Sequence, residues 1–394
     1  MSLTIGSRTL VVLATVLLVQ VTACSSGSGA PDATAGGIRL GFVISLSGAN
    51  APNAGPSTQG AKVAVAEINA RAVHDGKQIE LVRADDSGDP EIARQVCSRL
   101  VSVDRVVAII GAEASAARAA CSKAAAAASV PYYAVGRSDG KDCSGNTFYL
   151  GAVPAQGASA LVQFFRTTLA YRSFYIVGSD ATESRAMVSA AAHEVDVQGG
   201  SVVAVSLVSA TAASIKATLD GIARSRPDVL VEALPAGDQA EFQRQLAADS
   251  RLARQPRASL DMGMGPASSS GAGVSGTYLV QDYLTTDASP ANQAWLAAIG
   301  RSFGDGAVPS AVGAETYDAV KLVSAAIVKA GSLQGAAIAA ATVAVSITGP
   351  RGSIEIKPTS RGHATLAMHV GRLQPNNAIE QLAVSGALDP TLAC

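Results

Sequence analysis

From residue 38 onward, short continuous apolar runs alternate with stretches in which apolar positions recur every three or four residues. Residues 38–44 (IRLGFVI) read as a strand closed by Ser47-Gly48. After a loop rich in Gly, Pro and Asn, residues 57–71 carry Ala61, Val65 and Ile68 on one helical face. Residues 78–84 (QIELVRA) read as a second strand, and Asp89-Pro90-Glu91 as the cap and first turn of a second helix. The run VVAII at 106–110 suits a parallel strand buried on both faces. An Ala-rich helix over 116–128 and a strand over 130–135 follow. The rhythm then repeats, with helices over 158–170, 184–198, 214–224 and 238–249 and strands over 173–177, 201–208, 228–233, 257–261 and 278–281. Further helices are expected over 290–303, 313–329 and 333–341, and the alternation over 349–373 reads as a β ribbon. Two serial β-α-β-α runs predict an α/β fold of two doubly wound, mostly parallel sheets, the first in strand order 2-1-3-4-5. In such sheets ligands bind at the carboxyl ends of the strands. Two such edges facing one another would form a cleft that closes by hinge motion.

Composition narrows the function more than the fold. With 30 Lys+Arg against 31 Asp+Glu, a net charge of -1, there is no basic footprint for nucleic acid. No apolar stretch after residue 23 is long enough to span a bilayer, which excludes a membrane-spanning channel. Four scattered histidines do not suggest a metal site, and no Gly-rich phosphate fingerprint opens either half, so no cofactor is expected. No serine sits in a Gly-x-Ser-x-Gly elbow, and Asp85-Asp86 reads as turn structure ahead of a capped helix, so catalysis is not expected.

At the N-terminus, one positive charge in residues 1–8 precedes an apolar run over 10–21, the length of a signal-peptide core. It ends in Val21-Thr22-Ala23-Cys24, which resembles the bacterial lipobox with Val where Leu is usual. That resemblance implies a signal peptide over 1–23, lipidation of Cys24 and anchoring on the extracytoplasmic face of the cell membrane. Residues 24–37 then form a flexible tether. Four cysteines remain: Cys97, Cys121, Cys143 and Cys394. An even number in an exported chain favours two disulfides, with three possible connectivities, over buried free thiols. Cys97 and Cys121 fall on helices that neighbour each other in the 2-1-3-4-5 order and form the preferred pair; Cys143 with Cys394 follows by elimination.

Residues 40–86 (LGFVISLSGANAPNAGPSTQGAKVAVAEINARAVHDGKQIELVRADD) resemble the opening of type I periplasmic solute-binding proteins of the branched-chain amino acid, amide and urea class. Leu46-Ser47-Gly48, Gly60-Ala61, Glu67-Ile68-Asn69 and Asp85-Asp86 carry the likeness, and the segments 106–115, 142–156, 178–185 and 349–363 continue it across residues 38–375. The resemblance implies two lobes, 38–153 with 283–347 and 154–282 with 348–394, joined by three crossings near Val153-Pro154, Asp282-Tyr283 and Ile347-Thr348. It further implies capture of a small polar solute for an ABC permease and ATPase. The alternative is a membrane-anchored sensor that passes its closed state to a signalling partner.

Hydroxyls and backbone amides at strand ends and helix N-termini suit carboxylate or carbonyl oxygens. Ser115, with Ala116 at the start of its helix, matches the family's ligand-contacting serine. Ser47 and Gly48 lie in the first strand-to-helix turn, and Tyr133, Gly136 and Arg137 at the fourth strand. Ala181, Glu183 and Leu234 lie at strand ends of the second half. Ala134, Gly136 and Ala181 stand where amide-binding relatives carry Tyr, Thr and Tyr, so the expected pocket lacks aromatic walls and takes a larger or differently shaped solute. Asp261, which ends a strand, and Glu315, which begins a helix, are placed to meet an ammonium group; for both, and for Glu183 and Glu232, the alternative reading is a solvated rim carboxylate. Arg137 and Arg185 read as salt-bridging, Trp295 as packing, and His363 as structural.

Overall fold

A computed structural model of the chain describes residues 37–392, apart from 72, 73, 112, 144, 210 and 262–274. Cys24, Cys394, the leader and the tether as far as residue 36 lie outside the described residues. The first sheet contains β1 (Ile38–Ile44), β2 (Ile79–Asp85), β3 (Ala108–Gly111), β4 (Tyr132–Ala134) and β5 (Thr147–Tyr149), all parallel, in the order β2-β1-β3-β4-β5. Helices α1 (Ala54–Asn69), α2 (Pro90–Ser102) and α3 (Ser115–Ala127) connect these strands. Parallel strands covered on both faces need apolar residues throughout, and β3 is buried along its whole length. The α2 helix begins as its sequence demands, with the Asp89 carboxylate accepting from the amides of Glu91 and Ile92. Cys97 on α2 and Cys121 on α3 form a buried disulfide. Cys143 is also disulfide-bonded.

The second sheet runs β14-β13-β10-β9-β8-β6-β7. Its parallel strands are β6 (Ser173–Gly178), β7 (Ser201–Leu207), β8 (Val229–Ala233), β9 (Arg257–Ser259) and β10 (Tyr278–Gln281). α4 (Pro154–Thr167) leads into them from β5, and α5 (Thr182–Val197), α6 (Ala212–Ser225) and α7 (Ala236–Ala248) lie between successive strands. From β10 the chain returns to the first sheet through α8 (Pro290–Phe303), α9 (Ala311–Ala330) and α10 (Gly335–Thr342), then forms the antiparallel ribbon β11 (Ser346–Gly349) and β12 (Gly352–Glu355). β13 (His369–Leu373) and β14 (Ile379–Val384) finally add to the second sheet antiparallel to β10.

The buried helix α9 packs along α1 at very short range. A side chain at Gly60 would overlap the carbonyl oxygen of Gly313, so the two backbones meet where neither residue has a Cβ. This packing fixes the start of α9, and with it Glu315, beside the carboxyl edge of the first sheet. The single Trp295 is buried against Tyr283 and Tyr317 in edge-to-face contacts. Among the described residues no single helix is long and apolar enough to cross a membrane.

Candidate solute cleft

A cavity of about 620 Å³ lies between the carboxyl ends of the two sheets. From the first lobe it is lined by Asn50 and Asn53 ahead of α1, by Glu113 and Ser115 at the start of α3, by Gly136 and Arg137 after β4, and by Ser310 and Glu315 at the start of α9. From the second lobe come Glu183 at the start of α5, Asp261 after β9 and Gln281 at the end of β10, with Asp282 and Tyr283 on the passage that follows. Tyr283 is the one aromatic lining side chain among the described residues.

The first wall is built around α3. Its N-cap, Ala114, offers no side-chain hydrogen bond, so the first amides of the helix keep their donors for an incoming oxygen. Arg118, one turn along and buried, donates to the carbonyls of Val135, Gly136 and Arg137 and to Ser115 Oγ. It thereby holds the loop after β4 in place. Gly136 has φ +82°, a conformation few side-chain-bearing residues adopt, and its amide donates to Glu315 Oε2. Glu113 accepts from Asn53 Nδ2 at 2.6 Å and from Ser57 Oγ at 3.5 Å.

The electrostatics are acidic. Desolvation pushes Glu113 up to about 7, against the hydrogen bonds from Asn53 and Ser57. Glu315 is pushed up to about 8, first by burial and then by the neighbouring Asp282. Asp261 is raised by burial despite Arg137. Across the cleft, Arg137 Nη1 bonds Asp261 Oδ1 at 3.1 Å and Nη2 donates to the carbonyl of Leu260 at 2.6 Å. One side chain of the first lobe thus grips the β9 end of the second.

Behind the cleft, Arg351 in the β11–β12 turn gathers the passages between the sheets. Its Nη1 donates to the Leu150 carbonyl, after β5, and to Asp282 Oδ2, after β10, each at 2.8 Å. Its Nε donates to Asp318 Oδ2 on α9 at 2.7 Å. His363 is likewise structural: it is buried, stacks on Tyr149 at 4.3 Å, and hydrogen-bonds the Asp142 carbonyl.

Of the residues singled out from sequence, Ser115, Gly136, Arg137, Glu183, Asp261 and Glu315 meet in this cavity. Ser47 and Gly48 are exposed in the loop after β1 and lie outside its lining, as does the exposed Ala116. Tyr133 is fully buried with its hydroxyl bonded to Thr342, because side chains alternate along β4 and this one faces α10. Leu234 is buried in the core beneath α6 and α7. Ala181 lines a separate hollow of about 490 Å³ at the ends of β6 and β7. Glu232 is not a rim group: it is buried, accepts from Gln239 and Gln243, and is raised to about 7 by desolvation. Arg185 pairs with Asp180 on the surface. Sequence reasoning missed Asn53, Glu113, Gln281 and Asp282 as lining groups. Glu113 carried a signal, since it precedes a helix start that already held a candidate serine; the others depend on long-range packing.

Two α/β lobes joined by several passages, with a polar cavity between their carboxyl edges, define the architecture of the type I periplasmic binding proteins. Residues 37–378 match the periplasmic binding protein family, and the chain belongs to that family. A stretch of 119 residues is 34% identical to the Leu/Ile/Val-binding protein homolog 7 of Brucella abortus, covering 30% of this chain and 29% of the relative. The chain therefore aligns with less than a third of the length of the curated relatives it matches. Among solved structures, a branched-chain amino acid transporter substrate binding protein of Streptococcus pneumoniae in complex with isoleucine has a TM-score of 0.71 at 22% identity, over 88% of this chain and 99% of that one. A Rhodopseudomonas palustris solute binding protein in complex with benzoate has a TM-score of 0.71 at 20% identity, over 91% and 99%. At these identities the likeness is one of fold.

Proposed function

We propose that this protein is the extracytoplasmic solute receptor of an ABC importer, which captures a small polar molecule by closing its two lobes over it and hands it to a permease. The observation that carries this reading is the polar cavity shared by both lobes and bridged by the Arg137–Asp261 pair. An acceptor oxygen of the solute meets the free amides at the start of α3 and the hydroxyl of Ser115. A donor group meets the carboxyls of Glu113, Glu315 and Asp261. Bonds from both walls to one molecule stabilise the closed arrangement over the open one by the difference in its affinity for the two. Nothing in this scheme transforms the solute. The lipobox-like Val21-Thr22-Ala23-Cys24 supports a lipid anchor that keeps the receptor beside its permease. The solute is a polar molecule of amino-acid size or larger, since a cavity of this volume with one aromatic wall leaves urea and acetamide loosely held.

Thermal melting of the purified protein across a library of amino acids, amides and aromatic acids tests the reading. Capture predicts a rise of several degrees with at least one of them. A flat response to the whole library, together with no small molecule recovered by mass spectrometry of the denatured protein, would exclude it.

A further inference from the structure

Resting on the reading of this cavity as the solute site, the geometry points to a solute of net positive charge: a small organic amine with two cationic nitrogens, such as a diamine or a basic amino acid, held by Glu113 and Glu315 on either side of Gly136. Five carboxyl groups line the cavity, Glu113, Glu183, Asp261, Asp282 and Glu315, against the single lining cation Arg137. Two of the five have cationic partners already. Asp261 takes Arg137 at 3.1 Å, and Asp282 takes Arg351 at 2.8 Å. No lysine or arginine among the described residues forms an ion pair with Glu113, Glu183 or Glu315. The positions of the mature body outside the description contain neither residue type.

The two glutamates are fixed about one point of backbone. The Gly136 amide donates to Glu315 Oε2, and the Cβ position at Gly136 lies 3.7 Å from the Cβ and Cγ of Glu113. A group seated over Gly136 therefore lies against the stem of Glu113 and beside the Glu315 carboxyl, while Glu183 lines the far side from α5. A neutral aliphatic side chain placed here would desolvate three carboxyls without compensation. An ammonium group supplies hydrogen-bond donors and charge together.

The groups around the two glutamates set up a proton exchange. Glu113 faces Asp86, which raises it, and Arg118, which lowers it, besides its hydrogen bonds from Asn53 and Ser57. Glu315 faces Asp282, which raises it, and Arg351 and the Gly136 amide, which lower it. Burial outweighs the favourable partners in both cases, so both carboxyls hold protons near neutrality. A cation that pairs with them displaces those protons, and its affinity must increase as pH rises from 6 to 8.

Isothermal titration of the full chain with 1,4-diaminobutane, lysine, leucine and benzoate tests the inference, using buffers of different ionisation heat. At least one of the two cations should bind ten times more tightly than leucine and benzoate, release protons on binding, and weaken about tenfold between pH 8 and pH 6. Glu113→Gln and Glu315→Gln should each cost that cation tenfold or more and reduce the protons released, and Glu183→Gln, on an exposed position that does not hold the fold, about threefold. Tighter binding of leucine or benzoate than of both cations would overturn the inference while leaving solute capture intact, as would cation binding that no glutamine variant changes. Failure of every solute here and in the melting library would remove both.

Discussion

Arg351 has no exposed side-chain surface, and neither has its partner Asp318. A guanidinium in that setting survives only because two carboxylates and a carbonyl surround it, and removing it strands Asp282 and Asp318 without a counter-charge. Arg351→Met should lower unfolding stability by about 3–5 kcal/mol in urea titrations. Gly349 reinforces the same point, because a Cβ there would overlap the Asp318 carboxylate. A second buried carboxyl acts through pH. Glu232 holds its proton up to about 7 in the folded chain, well above the ordinary carboxylate range. Below the unfolded value both states carry the proton. As pH rises towards 7 the unfolded chain loses it first, so the folded state loses stability over that window. Each tenfold difference in proton affinity is worth about 1.4 kcal/mol. Glu232→Gln keeps the shape, and its amide can donate to the unpartnered Gln239 or Gln243 Oε1. Urea titrations should find the variant equal to the parent near pH 4.5 and more stable by a few kcal/mol near pH 8.

At the scale of elements, the Cys97–Cys121 bond joins α2 to α3 across 24 residues of sequence and fixes the base of the helix that carries Ser115. Closing a loop of that length restricts the unfolded chain by about 3 kcal/mol, so Cys97→Ala with Cys121→Ala should lower the urea midpoint accordingly. The order of strands and helices was legible because apolar spacing separates the two, and the preferred disulfide followed from the 2-1-3-4-5 order that the structure has. β5 and β14 were not read. β5 is three residues long in a loop rich in polar groups, and β14 (IEQLAV) lies beyond the ribbon and is only partly buried. The second sheet is mixed for the same reason: β13 and β14 return antiparallel after the third passage, which no local pattern announces. Apolar spacing puts the helix starts two to four residues late at α1, α4 and α5, where Ala54, Pro154 and Thr182 open the helix ahead of its first apolar face. The cleft was legible where a residue follows a strand or opens a helix, as at Ser115, Arg137, Asp261 and Glu315. Tyr133 shows the limit: one position along a strand separates the cleft from the core.

Capture by closure needs two arrangements of the lobes, of which the present one is bridged by Arg137 and Asp261. The Arg137–Asp261 pair is partly exposed on both sides, 31% and 20%, so its worth is about 1 kcal/mol. Arg137→Ala should therefore weaken solute binding by about fivefold, read by titration calorimetry. Arg351 ties the segments after β5 and β10 to α9. Small-angle X-ray scattering of the purified protein, with and without a solute that raises its melting temperature, tests closure most directly. The account predicts a solute-free radius of gyration larger than that calculated from this structure and a fall to the calculated value at saturation. A bound solute that leaves the scattering curve unchanged, with the solute-free protein already as compact as this structure, would contradict it.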